Sequence, residues 1–162
     1  VRLGIVSDTH DQSGRTMRAI DRLVEAGATL LIHCGDITQP DIVHICGASL
    51  PAYYVWGNND YDQSALRAAM DATGGQCLGA AGIVTLNGRR IAVTHGDSPR
   101  EYRRLLSEKP DYLLFGHSHV RLFERDGPTC QINPGALHRA PEWTVGLLDL
   151  ESDVYQSILI ER

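Results

Sequence analysis

The stretch Tyr112-Leu113-Leu114-Phe115-Gly116-His117-Ser118-His119 joins a short apolar run to two histidines separated by one residue. The apolar run predicts a buried strand. On extended backbone, residues i and i+2 share a face, so the spacing predicts two imidazoles on one side, with Gly116 permitting a tight turn at the strand end. Alone, His-x-His is better explained by two solvated loop histidines. The rest of the chain decides between these readings, because four other strand-like runs end in similar chemistry. Asp8 and His10 follow the run at 3–6, and Asp36 follows 30–33. Asn58 and Asp60 follow 53–56, and His95 follows 91–94.

The 162 residues suggest one domain, 1–162, with room for a sizeable core. With 43% apolar and 22% charged residues, the composition is that of a soluble globular protein. No run of 18 apolar residues occurs, so no membrane span is expected. With a strand beginning by Leu3, no leader segment is expected. Cys34, Cys46, Cys77 and Cys130 form no Cys-x-x-Cys pair and read as reduced, mostly core thiols, which predicts a cytoplasmic protein. A net charge of −5 argues against broad nucleic-acid binding but leaves room for a phosphate substrate held by bound cations.

A helix is expected over 15–26, with Met17, Ile20, Leu23 and Val24 as its apolar stripe and Gly27 as its stop. With strands at 3–6 and 29–33 it makes a βαβ unit. Pro40 opens a second helix continuing over 41–48 with Ile42, Ile45 and Cys46 inward, followed by a strand at 52–56. A third helix spans 64–72 and is closed by Gly74-Gly75. Asn87-Gly88 between 82–86 and 89–94 signals a type I′ hairpin. Ser98-Pro99-Arg100-Glu101 is a capping box opening a helix to about residue 107. Strands follow at 111–115, at 121–124 and 129–132 around Asp126-Gly127-Pro128, and in a final hairpin over 144–150 and 154–160. A βαβ-rich early half and a hairpin-rich late half predict an α/β protein, two sheets packed together with helices outside.

The donors Asp8, His10, Asp36, Asn58, His95, His117 and His119 comprise two carboxylates, one amide and four imidazoles. One divalent ion takes roughly four to six ligands, so this set suits two ions sharing a bridge. Two ions roughly 3.5–4 Å apart form the usual clamp for in-line displacement at phosphorus. A bridging carboxylate should sit deep, directly after a strand, which selects Asp36. The nitrogen and oxygen donors favour Mn, with Fe, Zn, Co or Ni as alternatives. Cys34 alternates away from His33 and Gly35 and belongs to the core.

In order along the chain, the motifs are Asp8-Thr9-His10, Gly35-Asp36, Gly57-Asn58-Asn59-Asp60, His95-Gly96 and Gly116-His117-Ser118-His119. Together they resemble the calcineurin-like metallophosphoesterases, in the branch of small prokaryotic phosphodiesterases related to the retromer subunit Vps29. The resemblance spans essentially the whole chain. It implies an α/β/β/α four-layer sandwich of two mixed sheets with the site at the strand ends. It further implies Asp8, His10 and His119 on one metal, Asn58, His95 and His117 on the other, and Asp36 between them. A hydroxide bridging the metals would attack phosphorus in a small phosphoester, a diester rather than a monoester. Asp36, Asn58, Asn59 and His95 would then be the catalytic set.

Two positions depart from the pattern. Asn59 stands where many relatives carry a histidine that assists the leaving group, and an amide cannot donate a proton near neutral pH. Asp97 stands where many small relatives place a second histidine after His95. Of the remaining residues, His33 reads as a hydrogen-bonded core histidine, His44 as surface and His138 as surface or rim. Asp60 reads as orienting the Asn58 loop. Asp11 is a candidate rim residue, and Arg15, Arg100 and Arg139 are candidates for a substrate phosphate. Trp56 and Trp143 read as core and rim packing. Short segments after Asn58 and His95 predict an open, shallow site.

Three other functions compete with this one. A non-catalytic Vps29-like scaffold on the same fold would be free to lose ligands, whereas all seven are present. An amidohydrolase barrel typically needs about 250 residues. A helical His-Asp phosphohydrolase disagrees with the many strands. Substrate, native metal and oligomeric state are not specified by the sequence.

Overall fold

Alternation along the strands sorts apolar side chains onto opposite faces, and the chain uses both faces of two sheets. The computed structural model describes residues 1–162, Asp126 by its backbone alone. Strands β1 (Arg2–Val6), β2 (Leu30–His33) and β3 (Ala52–Tyr54) run parallel, connected by helices α1 (Ser13–Glu25) and α2 (Pro40–Ser49). Helix α3 (Gln63–Thr73) leads to a two-residue edge strand, β4 (Gln76–Cys77), which the sequence reading lacked. Strands β5 (Ala81–Leu86) and β6 (Arg89–Thr94) form the expected hairpin; Asn87 (φ 53°) and Gly88 (φ 76°) both adopt the positive φ of a type I′ turn. Helix α4 (Pro99–Ser107) is capped by Ser98, whose hydroxyl accepts from the Glu101 N–H at 3.3 Å. Strands β7 (Tyr112–Leu114), β8 (Leu122–Asp126) and β9 (Thr129–Asn133) complete one sheet, and β10 (Trp143–Asp149) and β11 (Val154–Ile160) close the chain.

The six-stranded sheet has the order β11-β10-β1-β2-β3-β4, and the five-stranded sheet β5-β6-β7-β9-β8. The last hairpin therefore returns to the first sheet, so the sheets do not divide into an early and a late half. Leu3, Ile5, Ile32, Val55 and Leu148 from one sheet meet Ile91, Val93, Tyr112, Leu114 and Ile132 from the other. On its outer face the six-stranded sheet packs against Ile20 and Leu23 of α1, Ile42 and Val43 of α2, and Leu66 and Met70 of α3. Leu105 of α4 packs on Ala92 and Leu113 outside the five-stranded sheet. The result is the α/β/β/α sandwich. Among the described residues, no helix is long and apolar enough to cross a membrane.

Helix faces differ from the expected stripes. In α1, Thr16, Ala19, Ile20 and Leu23 are buried while Met17 and Val24 are exposed. A helix laid across a twisted sheet buries a narrow stripe, and Met17 and Val24 flank it. In α2 the inward residues are Ile42, Val43 and Cys46, with Ile45 partly buried at the edge.

The arrangement matters for one reason. β1, β2 and β3 are parallel in one sheet, and β6, β7 and β9 are parallel in the other. The carboxyl ends of both sets lie together, where loop residues converge on a crevice. Asp8 N–H donates to the Gly35 carbonyl and His10 N–H to that of Asp36, both at 3.0 Å, tying the first two loops. Gly116 N–H donates to the His95 carbonyl at 2.9 Å, tying two more.

Candidate metal centre

Asp8 is fully buried after β1. Its Oδ2 accepts from the Ser7 hydroxyl at 2.6 Å and from the His117 N–H at 3.0 Å. Its Oδ1 has no hydrogen-bond partner and lies 3.1 Å from His119 Nε2 and 3.8 Å from His95 Nε2. Asp36 Oδ1 accepts from the Asn59 N–H at 2.9 Å, and Oδ2 from the Asn59 amide at 2.8 Å. That Oδ2 also lies 3.4 Å from both His10 Nε2 and His95 Nε2. Asp36 thus faces two histidines that belong to different halves of the ligand set.

The backbone is strained to achieve this. Of ten non-glycine residues with positive φ, five are ligand candidates: Asp8 (53°), His10 (46°), Asp36 (58°), His117 (69°) and His119 (61°). Such conformations cost of order 1–3 kcal/mol each and persist only where surrounding bonds impose them. Aspartate and histidine tolerate this region better than branched residues do. Strand β7 ends at Leu114, so His117 and His119 do not lie on extended backbone. Their rings do not converge by strand alternation. His117 sits beside His95, ring centroids 5.2 Å apart, and His119 beside His10 at 5.8 Å. The two histidines therefore serve opposite sides of the cluster. Gly116 is needed for a reason other than turning: a Cβ there would fall on Ser7 Oγ and Asp8 Oδ2.

Around this cluster the ring orientations are set by backbone carbonyls. His95 Nδ1 donates to the Cys34 carbonyl at 2.7 Å, leaving Nε2 as the free face. His119 Nδ1 faces the Arg139 carbonyl at 3.3 Å and turns Nε2 to Asp8. His33, fully buried, accepts from the Gly35 N–H on Nδ1 at 3.1 Å. Its proton must then lie on Nε2, which donates to Thr9 Oγ1 at 2.9 Å. His33 thereby joins the Asp8 and Asp36 loops without entering the cluster. Asp60 accepts from the N–H groups of Asp36 (3.0 Å), Gly57 (2.7 Å) and Thr38 (2.7 Å), so it fixes loop geometry.

Burial raises the Asp36 carboxyl, but the nearby His95 ring and the hydrogen bonds from Asn59 outweigh it and hold the group well below the usual carboxylate range. Burial alone would lower His95; the adjacent carboxylates of Asp36 and Asp8 raise it to about 9 instead. The nearby Asp8 carboxylate raises His119. Burial dominates at His10 and His138, both lowered, and at His33, lowered to about 3. A carboxylate pocket that favours protons on His95 and His119 is one a cation can enter by displacing them.

Among the described residues, five buried side-chain polar atoms lack a partner, and three are Asp8 Oδ1, His10 Nε2 and His95 Nε2. Buried polar atoms are normally paired, so three orphans within one cluster call for a missing partner. Asp8, His10 and His119 have donor atoms close enough to share one ion, as do Asp8, Asp36 and His95. Chemistry, burial and proximity all fit divalent metal.

Asn58, His117, Asn59, His138 and Arg139 line the same cavity of about 320 Å³ with His10, Asp36 and His119. Asn58 and His117 are exposed at its mouth rather than drawn into the buried cluster. The His138 ring lies 4.3 Å from that of His10. Arg139 is on the wall, but Arg15 and Arg100 are not. Arg15 donates to the Leu137 carbonyl at 2.6 Å and stacks 3.4 Å over Trp143. Arg100 follows the Ser98 cap at the start of α4 and does not line the cavity. Asp11 is exposed and bonds Gln12. The sequence reading passed over Ser7, Thr9 and Asn133. Asn133 donates to the Gly116 carbonyl at 3.0 Å and to Ser118 Oγ at 3.1 Å, bracing the His117–His119 turn. Its place before Pro134-Gly135 was the available signal.

Residues 1–153 match the calcineurin-like phosphoesterase superfamily domain. The chain belongs to that superfamily. Phosphodiesterase MJ0936 of Methanocaldococcus jannaschii is 29% identical over 170 residues, covering 99% of this chain and all of the relative. Among solved structures, an archaeal phosphodiesterase superposes with TM-score 0.90 at 26% identity over 98% of this chain and 99% of its own. Vps29 of Entamoeba histolytica, solved with zinc, shares the fold at TM-score 0.67 and 16% identity, over 99% of this chain and 100% of its own. Within the calcineurin-like superfamily, a donor cluster of this composition makes the chain a metal-dependent phosphoesterase.

Proposed function

We propose that the protein is a phosphodiesterase that binds two divalent ions, Mn by preference, and hydrolyses small phosphodiesters in one displacement. The observation that carries this is Asp36 Oδ2, equidistant at 3.4 Å from His10 Nε2 and His95 Nε2 and flanked by unpartnered donor atoms. Bound there, two cations would activate a water as nucleophile and neutralise charge on the phosphoryl oxygens. Asp8, His10 and His119 would hold one ion; Asn58, His95 and His117 would hold the other, and Asp36 would touch both.

The residues around the ligands have separate tasks. The Cys34 and Arg139 carbonyls keep the Nδ1 atoms of His95 and His119 occupied, so each ring presents Nε2. The Asn59 amide holds Asp36 in place and, lacking a titratable proton, gives the leaving group no general acid. Substrates whose leaving groups are already stable anions are accordingly favoured. The diester reading is supported by the phosphodiesterase relatives at 29% and 26% identity.

The test is a metal-replete panel of mono- and diesters, run with metal analysis of the same samples. Expected are two ions per chain and turnover of bis-p-nitrophenyl phosphate well above p-nitrophenyl phosphate. Saturation at one ion, with Asn58 and His95 unliganded, refutes the two-ion site. Absence of turnover in the fully loaded protein leaves the scaffold reading.

A further inference from the structure

We infer that the cavity beyond His119 is a subsite for an uncharged, largely apolar arm of the phosphodiester, of aryl size. The inference rests on the phosphodiesterase reading and adds to it which of the ester's substituents the protein grips.

His119 lines two cavities at once. One is the candidate metal centre, and the other, about 400 Å³, is lined by His119 together with Val120, Pro141 and the Arg121–Glu142 pair. Small-molecule sites run roughly 300–1,000 Å³, so this second space holds a ring with room to spare. A diester differs from a monoester in carrying a second organic group. With the phosphorus over the cluster, that group needs a place outside it. The second cavity shares His119 with the centre and so lies next to it.

The lining selects the chemistry. Val120 is 65% exposed directly after His119. An isolated exposed valine is ordinary, but this one lines a concavity with Pro141. Its arginine, Arg121, is paired with Glu142 at 3.3 Å. The pair leaves no net charge for a second phosphate. An apolar or aromatic arm gains burial there, whereas a polyanionic one gains nothing. On the other sides of the centre, Arg139 and His138 offer polar groups suited to the phosphoryl oxygens.

The experiment compares bis-p-nitrophenyl phosphate with methyl p-nitrophenyl phosphate, which share a leaving group and differ in the second arm. The wild type and Val120→Asn are loaded with Mn²⁺, and kcat and KM are measured for both substrates. The exposed position makes the substitution tolerable to the fold. The wild type is expected to favour the aryl arm, and Val120→Asn to narrow the ratio of the two kcat/KM values about tenfold. That is what partial burial of one ring is worth, and the change should appear in KM. An unchanged ratio, or equal losses on both substrates, overturns the subsite while leaving the phosphodiesterase reading intact. A second readout needs no turnover: diphenyl phosphate and dimethyl phosphate are titrated into ¹⁵N-labelled protein loaded with Zn²⁺. Amide shifts at Val120 and Arg121 with the diphenyl ester alone support the subsite even if no ester is hydrolysed. Their absence overturns it.

Discussion

Asp36→Asn tests the geometry of the centre most directly. The substitution keeps the shape of the side chain and removes its charge. The Asn59 N–H can still donate to the remaining carbonyl oxygen, as it does now at 2.9 Å. The new amide then faces the Asn59 amide, which has to flip. Tyr61 OH, now donating to Asn59 Oδ1 at 3.0 Å, can accept from the flipped group instead. The fold therefore loses about one charge-assisted hydrogen bond, roughly 1.5–3 kcal/mol. The metal centre loses more, because the same oxygen faces both histidine sets at 3.4 Å. One charged interaction of about 1.5–3 kcal/mol lost at each of two ions makes about 3–6 kcal/mol, or roughly 10²- to 10⁴-fold in the product of the two dissociation constants. Turnover at limiting metal should fall at least as far. Calorimetric titration with Mn²⁺ and elemental analysis after gel filtration measure the binding, and circular dichroism checks the fold. Wild-type turnover with normal metal content would refute the bridge. Loss of one ion with the other bound at full affinity would move Asp36 to a single site.

Asn59→His should speed alkyl diesters more than aryl ones, by up to about 10²-fold, the lower end of general acid assistance; equal rate changes across leaving groups of different pKa would show that another group already supplies the proton. Gly116→Ala should lower stability by about 1–3 kcal/mol and weaken metal binding, because the added Cβ displaces the Ser7–Asp8 hydrogen bond; denaturant melts and metal titration of the variant check both. The metal-free protein should be most stable near pH 6.5, as read by melts across pH. His95, raised to about 9, contributes stability fully below the ordinary histidine value of 6.5 and loses it as pH climbs through 9. His33, lowered to about 3, acts on the other side: stability falls below pH 6.5, by up to about 1.4 kcal/mol per pH unit. Metal should flatten the alkaline limb, since it replaces the His95 proton, and His33→Gln should flatten the acid limb; a His33→Gln profile identical to wild type would mean His33 is charged in the folded state.

The strand at 112–115 and the motifs after it were readable because a buried strand needs apolar residues and its end does not. Five strand ends carrying ligand-type residues sufficed to place a cluster, and helix caps and the Asn87-Gly88 turn followed from local chemistry. Local rules could not say where the last hairpin goes, because β10 pairs with β1 across more than a hundred residues, with Leu3 opposite Leu148. Nor could they give the way His117 and His119 part company. Alternation predicts one shared side, whereas left-handed backbone at both residues turns them toward different partners. That backbone is held by Asp8 and Asn133, distant in the chain, which bond the His117 N–H and the Gly116 carbonyl of the turn. The same holds for Arg15, which the sequence offered to a phosphate and the fold gave to Leu137 and Trp143. Residue type and spacing nominated the donor atoms for a metal. Which of them meet was decided by packing two sheets face to face, because that packing brings the loop ends within bonding distance.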